Sequence, residues 1–249
     1  YIDPLFIKEN DQNVHSKAEV VDYTFVTTAG TVLQRVAGSH SKAAFIPNPV
    51  DASIDTQRCH ERSDQAFDVF FAGHRSPWSD PNDLRLRFPE LLQEQLPGVR
   101  VSAHGLGFGE SLYGAAFMHA LGDARIGLNF SQRTPQAVPG PGGELYFYSS
   151  DRVGLFLGNG LLVFTTREFE LAGLYGENAL VEVSGADDFI DKLRHYTEHD
   201  DERMAVARTG YQRAHAEFNE RLVAQFMLEV TLEQPLSHAY QWPTERHHR

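Results

Sequence analysis

Cysteine is nearly absent: Cys59 is the single one in 249 residues, which excludes an internal disulfide framework and a cysteine-rich zinc site. Basic side chains are also few, 22 Lys and Arg against 34 Asp and Glu, for a formal net charge of −12. Duplex nucleic acid and anionic membrane surfaces both require a basic face, so neither is expected as a partner. No apolar run approaches the roughly 20 residues that span a bilayer. Neither G-x-S-x-G, a Walker loop nor H-E-x-x-H occurs, which argues against a serine hydrolase, a P-loop enzyme and a zincin. His74, His104 and His119 lie on separate segments without i, i+4 partners or cysteines, so no metal site is expected among them. The opening YIDPLF has no initiator Met and no signal-peptide pattern, and it reads as the middle of a longer protein.

What is present is enough apolar material for a packed core: 41% hydrophobic and 11% aromatic residues. Short β-branched and aromatic runs alternate with helical spacing. Strands are predicted over 22–28, 43–46, 66–73, 99–105, 125–131, 161–166 and 179–184. Helices are predicted over 30–37, 89–97, 112–124, 149–160, 185–199 and 201–233. PNP at 47–49 ends the second strand, because proline lacks a ladder donor and restrains its predecessor. Residues 51–66 read as a linker, and 134–143 as a flexible loop rich in Pro and Gly. Such alternation predicts an α/β fold with a doubly wound parallel sheet.

In an open α/β sheet, ligands sit beyond the carboxyl ends of the strands, often on helix N-termini. Four segments occupy that edge: Gly73-His74-Arg75, the 105–110 glycines, Ser131-Gln132-Arg133, and Ser149-Ser150-Asp151-Arg152. Three arginines, serine hydroxyls and free amides on one rim suit a phosphate or diphosphate. The glycines Gly105, Gly107 and Gly109 are spaced G-x-G-x-G, unlike the dinucleotide fingerprint, and read as a tight turn; no dinucleotide cofactor is expected. His104 and His119 read as surface or structural groups, whereas His74 follows a strand-ending glycine on the candidate rim. Phe117 and Met118 read as core packing. The Glu/Arg-rich 201–233 helix reads as a solvated face with i, i+4 ion pairs, and His247 and His248 as a disordered tail.

The segments ARIGLNFS, YSSDRVGLFLGNGLLVFTT and DDFIDKLRHYTEHDDERMAVARTGYQR resemble the carboxyl-terminal half of GT-B glycosyltransferases. The closest likeness is to the CgeB-like (spore-coat maturation) branch of the glycosyl-transferase group 1 family, most specific at 149–160 and 186–213. DVFFAGHRS resembles the first strand and glycine loop of the same Rossmann-like domain, and DYTFVTT with IPNPVD resembles the end of the amino-terminal lobe and its linker.

The resemblance implies three regions. Residues 1–62 are a remnant of the acceptor lobe plus linker, 63–235 the nucleotide-sugar donor domain, and 236–249 a tail. It implies a metal-independent transferase moving a sugar from a nucleotide-sugar to a glycan or lipid-linked acceptor, without a further cofactor. The setting it implies is bacterial surface polysaccharide or glycoconjugate synthesis in the cytoplasm or at the inner-membrane periphery. Gly73, His74, Arg75, Ser131, Arg133, Ser149, Ser150, Asp151 and Arg152 become the donor-binding set, with His74 and Arg75 as catalytic candidates. Related chains carry a ribose-contacting Glu where this one has Leu155; Asp151 and Glu144 are the nearest acidic substitutes. The alternative is a non-catalytic binding or scaffold module derived from such a domain.

Overall fold

The computed structural model describes residues 16–73, 83–131 and 146–248. Two parallel strands come first, β1 (Tyr23–Val26) and β2 (Lys42–Phe45), joined through the short helix α1 (Val32–Val36). A five-stranded sheet follows, made of β3 (Phe67–Gly73), β4 (Val101–Gly105), β5 (Ala124–Asn129), β6 (Leu162–Thr166) and β7 (Val181–Val183). Its order is β4-β3-β5-β6-β7 and every pairing is parallel. Helices α2 (Leu84–Gln95), α3 (Gly114–Gly122), α4 (Asp151–Gly158) and α5 (Leu171–Tyr175) connect successive strands. The chain closes with α6 (Ala186–Glu198), α7 (Asp200–Glu217) and α8 (Glu220–Thr231).

The central strands are apolar on both sides, as parallel strands covered by helices must be. Val69, Phe71, Ile126, Leu128 and Phe164 pack with Phe88 of α2 and Phe189 of α6 on one face. On the other, Phe70 and Val163 pack with Phe156 of α4, in a core that continues into Val26, Phe45 and Phe226. That second core joins the β1–β2 unit to the five-stranded sheet. Phe117 borders it, as its helical spacing predicts, while His119 is 81% exposed.

Three predicted segments differ from the observed ones. Helix α2 begins at Leu84 rather than 89 and contains Pro89. Asp83 starts it: its carboxylate accepts from the Arg85 amide at 2.9 Å and from the Arg85 guanidinium at 2.6 and 2.8 Å. Burial of Phe88, Leu91 and Leu92 then offsets the proline, whose interior cost is about 3 kcal/mol.

The 201–233 pattern is two helices. Val50 threads the break, donating to Phe218 O at 3.0 Å and accepting from the Glu220 amide at 2.9 Å, and Asn219 caps α8 through the Leu222 amide. Nor is α7 a purely solvated face. The Arg213–Glu217 pair at 2.9 Å follows the i, i+4 expectation, but Arg203, Ala207, Gly210 and Ala214 are all buried. That buried stripe is small and partly charged, so hydrophobic periodicity does not reveal it.

The tail is ordered at His247, which exchanges two backbone hydrogen bonds with Ala43 at 2.8 and 2.9 Å, on the edge of β2 away from β1. Trp242 is buried against Phe218, Phe226 and Tyr240. The Glu229 carboxylate of α8 gathers donors from Ser237, Tyr240 and Gln225.

Residues 234–247 therefore form a strap, and two measurements check it. Trp242→Ala should lower stability by about 3–5 kcal/mol in urea unfolding, the usual cost of emptying a buried aromatic site. Hydrogen bonds from Ser237, then Tyr240 and Gln225, hold the Glu229 carboxyl at about 2, below its ordinary 4.5. A depressed carboxyl stabilises the fold fully above 4.5, and that contribution disappears as pH falls towards 2. The stability difference between wild type and Glu229→Gln should therefore shrink between pH 5 and pH 2. A pH-independent difference would contradict it.

Candidate functional site

The strand order places a topological switch point between β3 and β5, because connections from β3 run to one side of the sheet and those from β5 to the other. A crevice opens at such a point beyond the carboxyl ends of the strands. Ala72 and Gly73 end one side of it; Asn129, Phe130 and Ser131 end the other.

Arg152, in the first turn of α4, spans the two sides. Its Nη1 donates to Ala72 O at 3.1 Å, and its Nη2 donates to Phe130 O at 3.2 Å and Ser131 Oγ at 2.9 Å. The guanidinium carbon lies 5.8 Å from the Phe71 ring centroid, within cation–π range. A permanent cation thus sits on carbonyls at the mouth of the crevice, beside the positive end of α4. The local potential favours an anion despite the net charge of the chain.

The two serines are bonded inside the protein rather than to the helix terminus. Ser150 is the residue before α4, but its side chain makes no cap hydrogen bond. Its hydroxyl donates to Asn129 Oδ1 at 2.7 Å, and Asn129 Nδ2 donates to Thr165 Oγ1 at 3.2 Å. All three side chains are buried, so this relay pins the start of α4 to the ends of β5 and β6. Ser149 is also buried and bonds to Tyr175 Oη at 2.9 Å. Asp151 is exposed and accepts from the Arg152 amide at 2.9 Å.

Gly73, Ser131, Ser149, Ser150, Asp151 and Arg152 thus gather at one edge, whereas His74, Arg75, Arg133 and Glu144 lie outside the described residues. Gly105, with φ of 67°, pairs with Gly73, and a Cβ on it would lie 2.1 Å from Gly73 O. Gly105 therefore serves the close approach of the β3 and β4 ends. His104 is bonded to Ser102 Oγ at 2.9 Å, in an open groove of about 590 Å³ between β4 and α3 that His119 also lines. Asn129 is a neighbour of the candidate site that the predicted set leaves out; its signal is an amide closing an apolar strand. Leu155 is half-buried on α4, packed against the core.

A family model described as glycosyl transferase-like matches residues 85–229, more than half of the chain. No curated protein matches. Among solved structures, sucrose-phosphate synthase from Thermosynechococcus elongatus aligns with a TM-score of 0.53 at 13% identity, over 90% of this chain and 62% of that one. An α-glucosyltransferase in complex with UDP-glucose and DNA containing an abasic site aligns with a TM-score of 0.56 at 6% identity, over 88% and 67%. A glycosyltransferase from Rickettsia africae ESF-5 gives 0.52 at 12%, over 93% and 67%. The chain thus spans less than two thirds of the synthase, and identities this low establish the shared fold alone.

Ser150→Ala tests the relay. It strands a buried Asn129 oxygen without removing a cap bond, so urea unfolding should show a loss of about 1–3 kcal/mol. A loss below about 0.5 kcal/mol, the ordinary range for surface changes, would show that the contact contributes little.

Proposed function

Since the chain belongs to the glycosyl transferase-like family, with the α/β fold of GT-B glycosyltransferases, we propose that it transfers a glycosyl group from a nucleotide-sugar to an acceptor hydroxyl. The bond from the sugar's anomeric carbon to the diphosphate oxygen breaks, and its electron pair leaves with the diphosphate. The acceptor oxygen forms the new bond and its proton passes to a base. The observation that carries this reading is Arg152 astride the switch-point crevice, where it neutralises charge developing on the leaving diphosphate.

Gly73, Ser131, Ser149, Ser150, Asp151 and Arg152 form the described part of the proposed donor site, joined by His74, Arg75 and Arg133. Because the hydroxyls of Ser149 and Ser150 are bonded within the protein, we assign them to holding the start of α4. Phosphate contact falls to the Arg152 charge and the helix terminus. We take the reaction to be metal-independent. The likeness at 149–160 and 186–213 to the CgeB-like branch supports a glycan or lipid-linked acceptor in bacterial surface polysaccharide synthesis.

A panel of UDP-, GDP- and dTDP-sugars, each of which leaves a nucleoside diphosphate, tests the reading by thermal shift. A bound donor at 100 times its Kd adds about 2.7 kcal/mol, or roughly 5–10 °C for a chain of this size. Arg152→Ala should weaken that donor at least about tenfold with an unchanged circular dichroism spectrum, since hydrogen bonds to charged groups contribute about 1.5–3 kcal/mol. Arg152→Lys, which keeps the charge but loses the fork, should fall between. If no panel member raises the melting temperature, the proposal fails. Leu155 at the position where the resemblance expects a Glu favours a second reading, a nucleotide-sugar-binding module without turnover. Binding without release of nucleoside diphosphate in the presence of acceptors would select it.

A further inference from the structure

Ser149 is fully buried two residues before the start of α4, and its partners come from three separate places. Its amide donates to Thr27 O, just past β1, at 2.8 Å. Its hydroxyl bonds to Tyr175 Oη at the end of α5 at 2.9 Å and accepts from the Asn48 amide at 3.2 Å. Its carbonyl accepts from Asn48 Nδ2. Asn48 therefore holds Ser149 twice, once from the main chain and once from the side chain. The flanking prolines suit it to this: Pro49 restrains Asn48 to an extended conformation, so its amide and side chain are presented with little left to order. The contact is also close, since a Cβ on Gly154 of α4 would lie 3.1 Å from Asn48 O and 3.3 Å from Pro49 O.

We infer that Asn48 is a positioning residue for the proposed donor site: through Ser149 it sets where the α4 terminus and Arg152 stand, and it ties that wall of the crevice to the β1–β2 unit. The inference rests on the donor-site reading. Asn48 belongs to the segment linking β2 to the five-stranded sheet, and Val50, two residues on, is bonded to both sides of the α7–α8 break. A shift of the β1–β2 unit is thereby carried to the anion-binding end of α4 by hydrogen bonds at Thr27 and Asn48. Burial pushes the Tyr175 phenol up to about 12, so Ser149 meets a neutral hydroxyl on its other side.

Inorganic pyrophosphate is the probe, because it reports the diphosphate subsite whatever the nucleotide. Titration calorimetry on the full chain, far below the melting temperature, should give Asn48→Ala a Kd roughly three- to tenfold weaker than wild type, the scale of one net hydrogen bond. Ser149→Ala, which removes the hydroxyl that accepts from the Asn48 amide, should weaken binding similarly, and adding Tyr175→Phe to it should weaken binding no further, because both lose the Ser149–Tyr175 contact. Tyr175→Phe keeps the ring against Phe218 and loses only the hydroxyl; it provides the readout if Asn48→Ala fails to fold, and should also weaken the Kd. Unchanged pyrophosphate affinity in the folded variants, even with a lower melting temperature, would reduce Asn48 to a structural role and overturn the inference alone. Failure of wild type to bind either pyrophosphate or any nucleoside diphosphate would overturn the donor-site reading together with it.

Discussion

The depth at which α4 is seated governs the rest of the molecule. Eight residues long, the helix is wedged between the five-stranded sheet, the segment that leaves β2, and α7. Two of its positions are glycine where neighbours come close: backbone of the linker faces Gly154, and Val50 and Asp55 face Gly158. Val153, Phe156 and Leu157 fill the remaining faces and are fully buried, each worth about 1.5–3 kcal/mol in transfer terms. With that seating the positive end of the helix arrives at the switch point, and the linker, the strap and the two sheets share one core.

Polar groups at the edge are then arranged by the helix rather than by their own strands. Asn129 and Thr165 are buried on adjacent parallel strands, where an unpaired amide would be costly, and the Ser150 hydroxyl completes the set. Arg152 does the same for the carbonyls of Ala72 and Phe130. One guanidinium thus satisfies backbone acceptors and leaves positive charge at the proposed donor site. Structural and chemical demands coincide at a single side chain, which is why the crevice favours an anion in a chain of net charge −12.

Strands such as 161–166 and the 66–73 run were legible because buried parallel strands are written as short continuous apolar stretches, and 185–199 because its apolar spacing is helical. Pro89 obscured the first turn of α2, whose true start depends on the Asp83–Arg85 contacts. Phe218 and Asn219 carry no glycine or proline, so the break between α7 and α8 is invisible until Val50 is placed between them. His247 and His248 read as a disordered tail, yet His247 finds the edge of β2, and Trp242 before it fills a buried aromatic slot. Among the candidate site residues, the edge location of Ser131, Ser149, Ser150 and Arg152 was readable from strand–loop–helix order; the partners of each were not.

By itself the sequence determined the alternation of strand and helix, the parallel sheet, and the gathering of anion-suited residues at the edge proposed for the donor. These follow from local periodicity and from the chirality of strand–helix–strand connections, which act over tens of residues. Only the tertiary structure decided that Ser150 bonds to Asn129 instead of its own helix, that Asn48 grips Ser149, that Arg203 is buried, and that the tail closes on β2. Each of those contacts joins residues whose partners are chosen by packing distance, and local sequence carries no record of what lies across a core.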